Sequence, residues 1–237
     1  MDYMRTLEDK AFDLAIVDPP YGIGESKGKN NSRGSSNVFG KYRGTKNTTG
    51  KAIPATQFKV KDWDSKPADR QYFNSLQQSS FNQIIWGANY YDFITNPFKT
   101  PRRNDIIKWI KNNPVGWIVW DKENGDTDFN DFELAWTSFK VPTQIFNFMW
   151  NGMLQGDMKN KEKRIHPTQK PVALYKWLLH NYAKPGDRIL DTHLGSGSSA
   201  IAAHYGGFEF VGCELDKDYY DAACKRFKEQ TAQLSLL

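Results

Sequence analysis

The sequence predicts an α/β protein: a mostly parallel β-sheet with helices on both faces. Short apolar runs alternate with helix-length segments along the chain. Several of those runs stop abruptly at an acid or a glycine, as buried strands do where they open into loops. Residues 185–230 read as strand, Gly-rich turn, helix, strand, acid and helix, which is the order of a nucleotide-binding βαβ unit.

Taken in order, Phe12 to Val17 is apolar and is cut off by Asp18-Pro19-Pro20-Tyr21, so it reads as a buried strand ending in a loop. Gly24 to Lys61 is polar, without helical or strand periodicity, and longer than an idle loop in a compact domain. A helix is expected from Pro67 to Ser80, with the proline in its first turn. A strand follows at Gln83 to Trp86, then irregular chain with one short helix near Asp105 to Lys111. Gly116 to Trp120 is expected as a strand, Asp131 to Phe139 as a helix, and Gln144 to Trp150 as a strand. After a second polar, basic stretch at 151–165 comes a helix from Val172 to Tyr182. The last segment gives a strand at Arg188 to Asp191, a helix from the Gly-rich loop to Tyr205, a strand at Phe208 to Cys213 and a helix from Tyr219 to Gln230. No internal repeat or domain boundary interrupts residues 1–237, so one domain is expected.

With 39% hydrophobic and 25% charged residues, the composition is that of a soluble globular protein. Cys213 and Cys224 are too few for a disulfide framework or a Cys-rich metal site, and two reduced thiols are expected, with no metal. The amino terminus lacks the apolar run of a signal peptide, and no stretch is long and apolar enough to span a membrane. The net charge of +5 is unevenly spread: residues 25–61 hold nine Lys or Arg against one acid, Glu25. Such clustering suits a polyanionic partner.

In the carboxy-terminal unit, Gly195 and Gly197 allow close approach to the backbone, and the helix amides that follow offer donors. Glu214, some 20 residues on, stands where such units bind ribose hydroxyls. The pattern Asp-x-x-x-Gly-x-Gly differs from the dinucleotide fingerprint. Asp191, an acid, suits an ammonium group better than a pyrophosphate. S-adenosylmethionine, with its amino-acid and adenosine parts, fits these polarities better than NAD.

Asp191-Thr192-His193-Leu194-Gly195-Ser196-Gly197-Ser198 resembles the cofactor motif of DNA amino-methyltransferases. Gly212 to Asp216 resembles the segment that follows it, and His166-Pro167-Thr168-Gln169-Lys170-Pro171 the block that precedes it in the β-class enzymes. Asp18-Pro19-Pro20-Tyr21 is similar to their catalytic motif, and Trp86 to Tyr90 and Trp120-Asp121-Lys122 to their middle region, especially in phage and prophage proteins. Four motifs stand in the family's order. Leu194 departs from the usual phenylalanine and His193 from the usual small residue or proline, and a separate target-recognition region is nearly absent.

The resemblance implies a Rossmann-like S-adenosylmethionine-dependent methyltransferase fold with a seven-stranded sheet. It implies cofactor contacts from Asp18, Thr168, Gln169, Lys170, Asp191, Thr192, Gly195, Ser196, Gly197, Ser198, Glu214 and Leu215. Asp18 first in the motif implies adenine N6 as the target, where serine goes with cytosine N4. A cytosine-N4 enzyme or a catalytically silent DNA-binding subunit are the alternatives. The family also implies double-stranded DNA as partner, a homodimer, a cognate restriction endonuclease, and the cytoplasm of a bacterial or phage-infected cell.

Chemistry fits the catalytic motif. An exocyclic amine is a poor nucleophile, and acceptors on its two N–H bonds would free the lone pair. Asp18 offers a carboxylate and Pro19 a carbonyl held rigid by the two prolines, with Tyr21 a flat face for a base swung out of the helix. No Pro-Cys site is present, which argues against cytosine C5 chemistry through a thiolate. Lys27, Lys29, Arg33, Lys41, Arg43 and Lys46 in the 24–61 loop, with Lys161, Lys163 and Arg164 in the 151–165 stretch, are the expected DNA contacts.

Overall fold

Phe12–Val17 forms an interior strand, β1, and its burial explains a run with almost no polar face. Leu14 and Ile16 point into one core while Ala15 and Val17 point into the other. The computed structural model describes residues 2–27, 58–91, 115–124, 131–151 and 154–232. Its other strands are β2 (Ser80–Trp86), β3 (Trp117–Asp121), β4 (Phe132–Thr137), β5 (Gln144–Asn147), β6 (Trp150–Asn151), β7 (Leu154–Gln155), β8 (Arg188–Asp191) and β9 (Glu209–Gly212). The helices are α1 (Asp2–Arg5), α2 (Arg70–Ser79), α3 (Val172–Tyr182), α4 (Ser198–Gly206) and α5 (Lys217–Thr231).

Seven strands make one sheet in the order β5-β3-β4-β2-β1-β8-β9, and β6 and β7 form a separate hairpin. All neighbours in the sheet run parallel except β4, which is antiparallel to both β2 and β3. On one face α2 lays Tyr72, Phe73 and Leu76 against Ala15, Val17, Ile85 and Leu190. On the other, Leu174 and Leu178 of α3 and Ile201 and Ala202 of α4 cover Leu14, Ile16, Ile84, Trp86 and Ile118. Each buried Val, Leu or Ile among them contributes about 1.5–3 kcal/mol relative to exposure, so both faces are well anchored.

The expected helix at Asp131 to Phe139 is instead strand β4. Glu133, Leu134 and Ala135 are good helix formers, but the segment fills the gap between β2 and β3. There its backbone pairs on both edges, which outweighs a propensity difference of a few tenths of a kcal/mol per residue. Helix α2 starts three residues later than expected. Asp69 caps it by accepting from the Tyr72 N–H at 2.8 Å, and Pro67 stays outside in an isolated bridge to Tyr21. The strand expected from Gln144 to Trp150 is broken, β5 ending at Asn147 and Trp150 joining the hairpin. The short helix expected at 105–111 lies outside the described residues, as do residues 28–57 of the basic loop.

The chain runs from β1 outward to β2 on one side, and from β8 outward to β9 on the other. The carboxyl ends of β1 and β8 therefore flank the point where strand order reverses, which is where open α/β sheets bind ligands. Asp18 follows β1 and Asp191 ends β8.

Candidate active site

Two backbone devices fix the turn after β1. The Tyr91 hydroxyl reaches the carbonyls of Pro19 at 3.0 Å and Pro20 at 2.8 Å, so one buried phenol holds both prolines. Beyond Tyr21, the buried Asp64 carboxylate accepts from the backbone N–H groups of Gly22 and Glu25, each at 2.8 Å. Lys61 N–H donates to the Ser26 carbonyl at 2.9 Å, so the two ends of the basic loop meet beside the motif.

Tyr21 stacks on Tyr90 with ring centroids 4.7 Å apart and an interplanar angle of 10°. Its hydroxyl donates to Asp18 Oδ1. Burial first, and then the charge of Asp18, push its pKa well up, so the phenol stays protonated. The other Asp18 oxygen, Oδ2, takes a bond of 2.5 Å from the ammonium of Lys170. Lys170 also pairs with Glu133 Oε2 at 3.0 Å, and Glu133 Oε1 accepts from Lys122 at 2.5 Å. Four alternating charges thus run Asp18, Lys170, Glu133, Lys122. The Lys170 side chain is 3% exposed and sits 5.5 Å from the ring of Trp86. Burial works to raise the Glu133 carboxyl, but Lys122 and Lys170 outweigh it and hold it at about 2.

The Gly-rich loop is built from inside. Gly197 takes φ +74° as the residue before α4, and a Cβ there would stand 3.3 Å from Cβ of Ala223 on α5. Asp191, 1% exposed, accepts from Ser199 Oγ at 2.6 Å and from the His193 N–H at 3.0 Å. Burial is the main reason its pKa rises to about 7, against the pull of those two bonds. Glu214 braces the loop by accepting from the N–H groups of Gly195 and Asp216 at 2.8 and 2.9 Å, while Leu215 beside it is fully exposed. Thr192 lies 2.6 Å from the hydroxyl of Tyr72, and Ser196 and Ser198 face each other at 3.0 Å.

The 166–171 block sits under this loop. His166 packs edge-on against Tyr219, with centroids 4.2 Å apart, and burial lowers its pKa to about 3, so the ring is neutral. Thr168 lies 3.1 Å from His166 Nδ1. Gln169 turns back to accept from the Ile165 N–H at 2.9 Å. Lys170 touches the loop through its carbonyl, which accepts from Ser198 Oγ at 2.7 Å, while its ammonium goes to Asp18. Arg226 of α5 ties the parts together: one nitrogen donates to the Ser196 carbonyl and Ser198 Oγ, the other to Glu162 at 2.5 Å.

Of the expected DNA contacts, Lys161 and Lys163 are exposed, whereas Arg164 folds back onto the Pro167 carbonyl. Lys27 falls in a short 3₁₀ turn at Glu25–Lys27, and Lys29, Arg33, Lys41, Arg43 and Lys46 lie outside the described residues. Sequence reasoning left out Glu133, Tyr91, Asp64 and Arg226 as working residues. The runs Trp86 to Tyr90 and Trp120 to Lys122 pointed to their surroundings, since Tyr90 and Lys122 both stand at the site. Among the described residues no group of His, Cys, Asp and Glu could hold a metal, and no helix is long and apolar enough to cross a membrane.

Sheet order, the reversed strand β4 and the paired strand-end acids define the fold of nucleotide-cofactor methyltransferases. A solved structure of the cytosine-N4-specific PvuII DNA methyltransferase superposes with a TM-score of 0.50 at 10% identity, covering 97% of this chain and 86% of that one. A family model for DNA methylases of the N6/N4 methyltransferase type matches residues 12–225, and the chain belongs to that family. Among its relatives, the Type II methyltransferase M2.MboI of Moraxella bovis is 21% identical over 99% of this chain and 87% of its own length. The Type II methyltransferase M.HpaI of Haemophilus parainfluenzae is 24% identical over 96% and 71%.

Proposed function

We propose that this DNA methylase, as a single methyltransferase domain over residues 1–237, methylates the exocyclic N6 of an adenine swung out of double-stranded DNA, using S-adenosylmethionine. One observation carries the reading: Asp18 and Asp191 stand at the carboxyl ends of adjacent parallel strands, so the acceptor motif and the Gly-rich loop open on one crevice. The residues present fit the cofactor. Glu214 supplies acceptors for a ribose, the fully exposed Leu215 an apolar surface for an adenine, and the Asp191 end an acidic setting for an ammonium group. Thr168, Gln169, Lys170, Thr192, Gly195, Ser196, Gly197 and Ser198 complete the set proposed to hold it.

When bound, S-adenosylmethionine supplies an electrophilic methyl group. The chain's work is then to orient the amine. Asp18 Oδ1 or Oδ2 accepts one N–H, and the Pro19 carbonyl, held by Tyr91, accepts the other. The proton released after transfer passes to Asp18 and on to solvent. Tyr21, stacked on Tyr90, offers its outer face to the base, and stacking of this kind is worth about 1–3 kcal/mol. Pro20 keeps that face aimed by receiving the second Tyr91 contact and the Ala68 N–H.

Lys161 and Lys163, with Lys27, Lys29, Arg33, Lys41, Arg43, Lys46 and Arg164, supply the phosphate contacts in this reading. It extends to a homodimer in the cytoplasm of a bacterial or phage-infected cell, paired with a cognate restriction endonuclease as the Type II names of the relatives suggest. Expression in a methylation-free host, followed by nucleoside mass spectrometry, tests the base. N6-methyladenine supports the proposal, N4-methylcytosine moves it to the other amine, and no methylated base removes it. Light scattering of the purified protein tests the dimer.

A further inference from the structure

The acceptor motif is not left as a bare carboxylate. Lys170 is enclosed between Asp18 and Glu133, at 2.5 and 3.0 Å, and Glu133 in turn holds Lys122. These residues come from four separate places: the end of β1, the 166–171 block, β4 and the residue after β3. Glu133 reaches the site only because its segment runs as an antiparallel strand, which sets it opposite Trp120 on β3. An ammonium this deeply buried needs a close counter-charge and partners for its remaining protons, and Glu133 supplies a second acceptor beside Asp18. With Asp18 as its only acid, Lys170 would neutralise that carboxylate in full, and a neutralised acceptor polarises an amine poorly.

We propose that Glu133, backed by Lys122, is a positioning residue for the reaction: it shares the charge of Lys170 with Asp18, whose Oδ1 meets only the neutral Tyr21 hydroxyl, and so leaves that carboxylate enough negative charge to accept an amine N–H. This rests on the methyl transfer proposed above. The chain of charges is electrically balanced as it stands, two acids against two bases. Removing Glu133 alone leaves a buried excess positive charge next to a nitrogen that itself becomes positive during transfer. Removing Glu133 together with Lys122 restores the balance. A purely structural role predicts the reverse order, because the double variant disrupts more of the packing than the single one.

The test measures single-turnover methyl transfer, affinity for S-adenosylmethionine and melting temperature in wild type, Glu133→Gln, Lys122→Met and the double variant. Wild-type transfer comes first: its absence removes the proposed function and, with it, the reaction that Glu133 would serve. Given active wild type, Glu133→Gln is expected to slow transfer about a hundredfold, with cofactor affinity changed less than about threefold. The double variant is expected to regain at least about tenfold of that loss. Transfer by Glu133→Gln within threefold of wild type, or a double variant no faster than the single, overturns the inference. Should Glu133→Gln fail to fold, Glu133→Asp decides: it keeps the charge and shortens the reach. Slower transfer at an unchanged melting temperature supports the inference, and wild-type transfer refutes it.

Discussion

The ring of Tyr21 lies directly over Gly87, so close that a Cβ on Gly87 would stand 1.9 Å from Tyr21 Cε1. Gly87 also takes φ +65°, a region where other residues are strained. The stacked pair of Tyr21 and Tyr90 therefore depends on a missing side chain as much as on either ring.

Gly87→Ala should push Tyr21 off its stack. The expected cost is on the order of 1–3 kcal/mol in stability. Methyl transfer should fall by more than about tenfold, because the proposed base platform moves. Thermal melts and a tritium-transfer assay check both, and a variant with wild-type turnover would show that the platform lies elsewhere.

Tyr91→Phe removes the hydroxyl shared by the Pro19 and Pro20 carbonyls. Stability should drop by about 1 kcal/mol, the net worth of one buried hydrogen bond. Turnover should drop about tenfold or more with little change in KM for the cofactor, since only the acceptor carbonyl loses its support. A rise in that KM at constant kcat would count against it.

Asp191 gives a pH signature. Its folded pKa of about 7 stands above the ordinary carboxylate value of about 3.9, mainly through burial. The native state binds the proton more tightly, so this stabilising contribution is complete below about pH 4 and is lost as pH rises through about 7. The unfolding free energy of wild type from urea titration should therefore fall relative to Asp191→Asn between pH 5 and 8, by the order of a few kcal/mol at most. Parallel curves for the two proteins would exclude the shift.

Arg226→Met leaves Glu162 without its partner in a largely enclosed place, where the two side chains are 6% and 14% exposed. A loss of about 3–5 kcal/mol is expected. Because Arg226 also holds Ser196 and Ser198, cofactor affinity and the amide protection of residues 154–164 should fall together in hydrogen exchange. Arg226→Met with Glu162→Met should recover part of the stability and none of the bonding to the loop.

Lys161→Ala with Lys163→Ala tests the exposed basic stretch. For each of the two lysines that neutralises a phosphate, its removal should reduce the slope of log affinity for duplex DNA against log salt by about 0.9. An unchanged slope would place the DNA on another face.

Much of the fold is legible in the sequence. Strand β1, helices α3 and α4 and strand β8 follow from strong local patterns, and the two strand-end acids come with them. Strand β4 does not, because Glu133 to Ala135 favour a helix and only the gap between β2 and β3 makes them extended. The charge chain is hidden for a related reason. Its members stand at positions 18, 122, 133 and 170, and no local spacing announces a cluster assembled from three strands and a block before α3. Lys170 illustrates the difference: its motif points to the cofactor, while its ammonium is shared between Asp18 and Glu133.

The basic loop begins and ends at one knot, with Lys61 bonded to Ser26, Gly24 to Asp64, and Lys61 clamped on Asp216 of the α5 cap. A segment whose ends are already tied can change length at little cost, about 0.6 kcal/mol for each doubling. The anchors are thus held by contacts that do not depend on how much chain joins them. Grafting the corresponding segment of another methylase between Lys27 and Lys59 should leave the sheet and the turn after β1 standing, as a thermal melt would show.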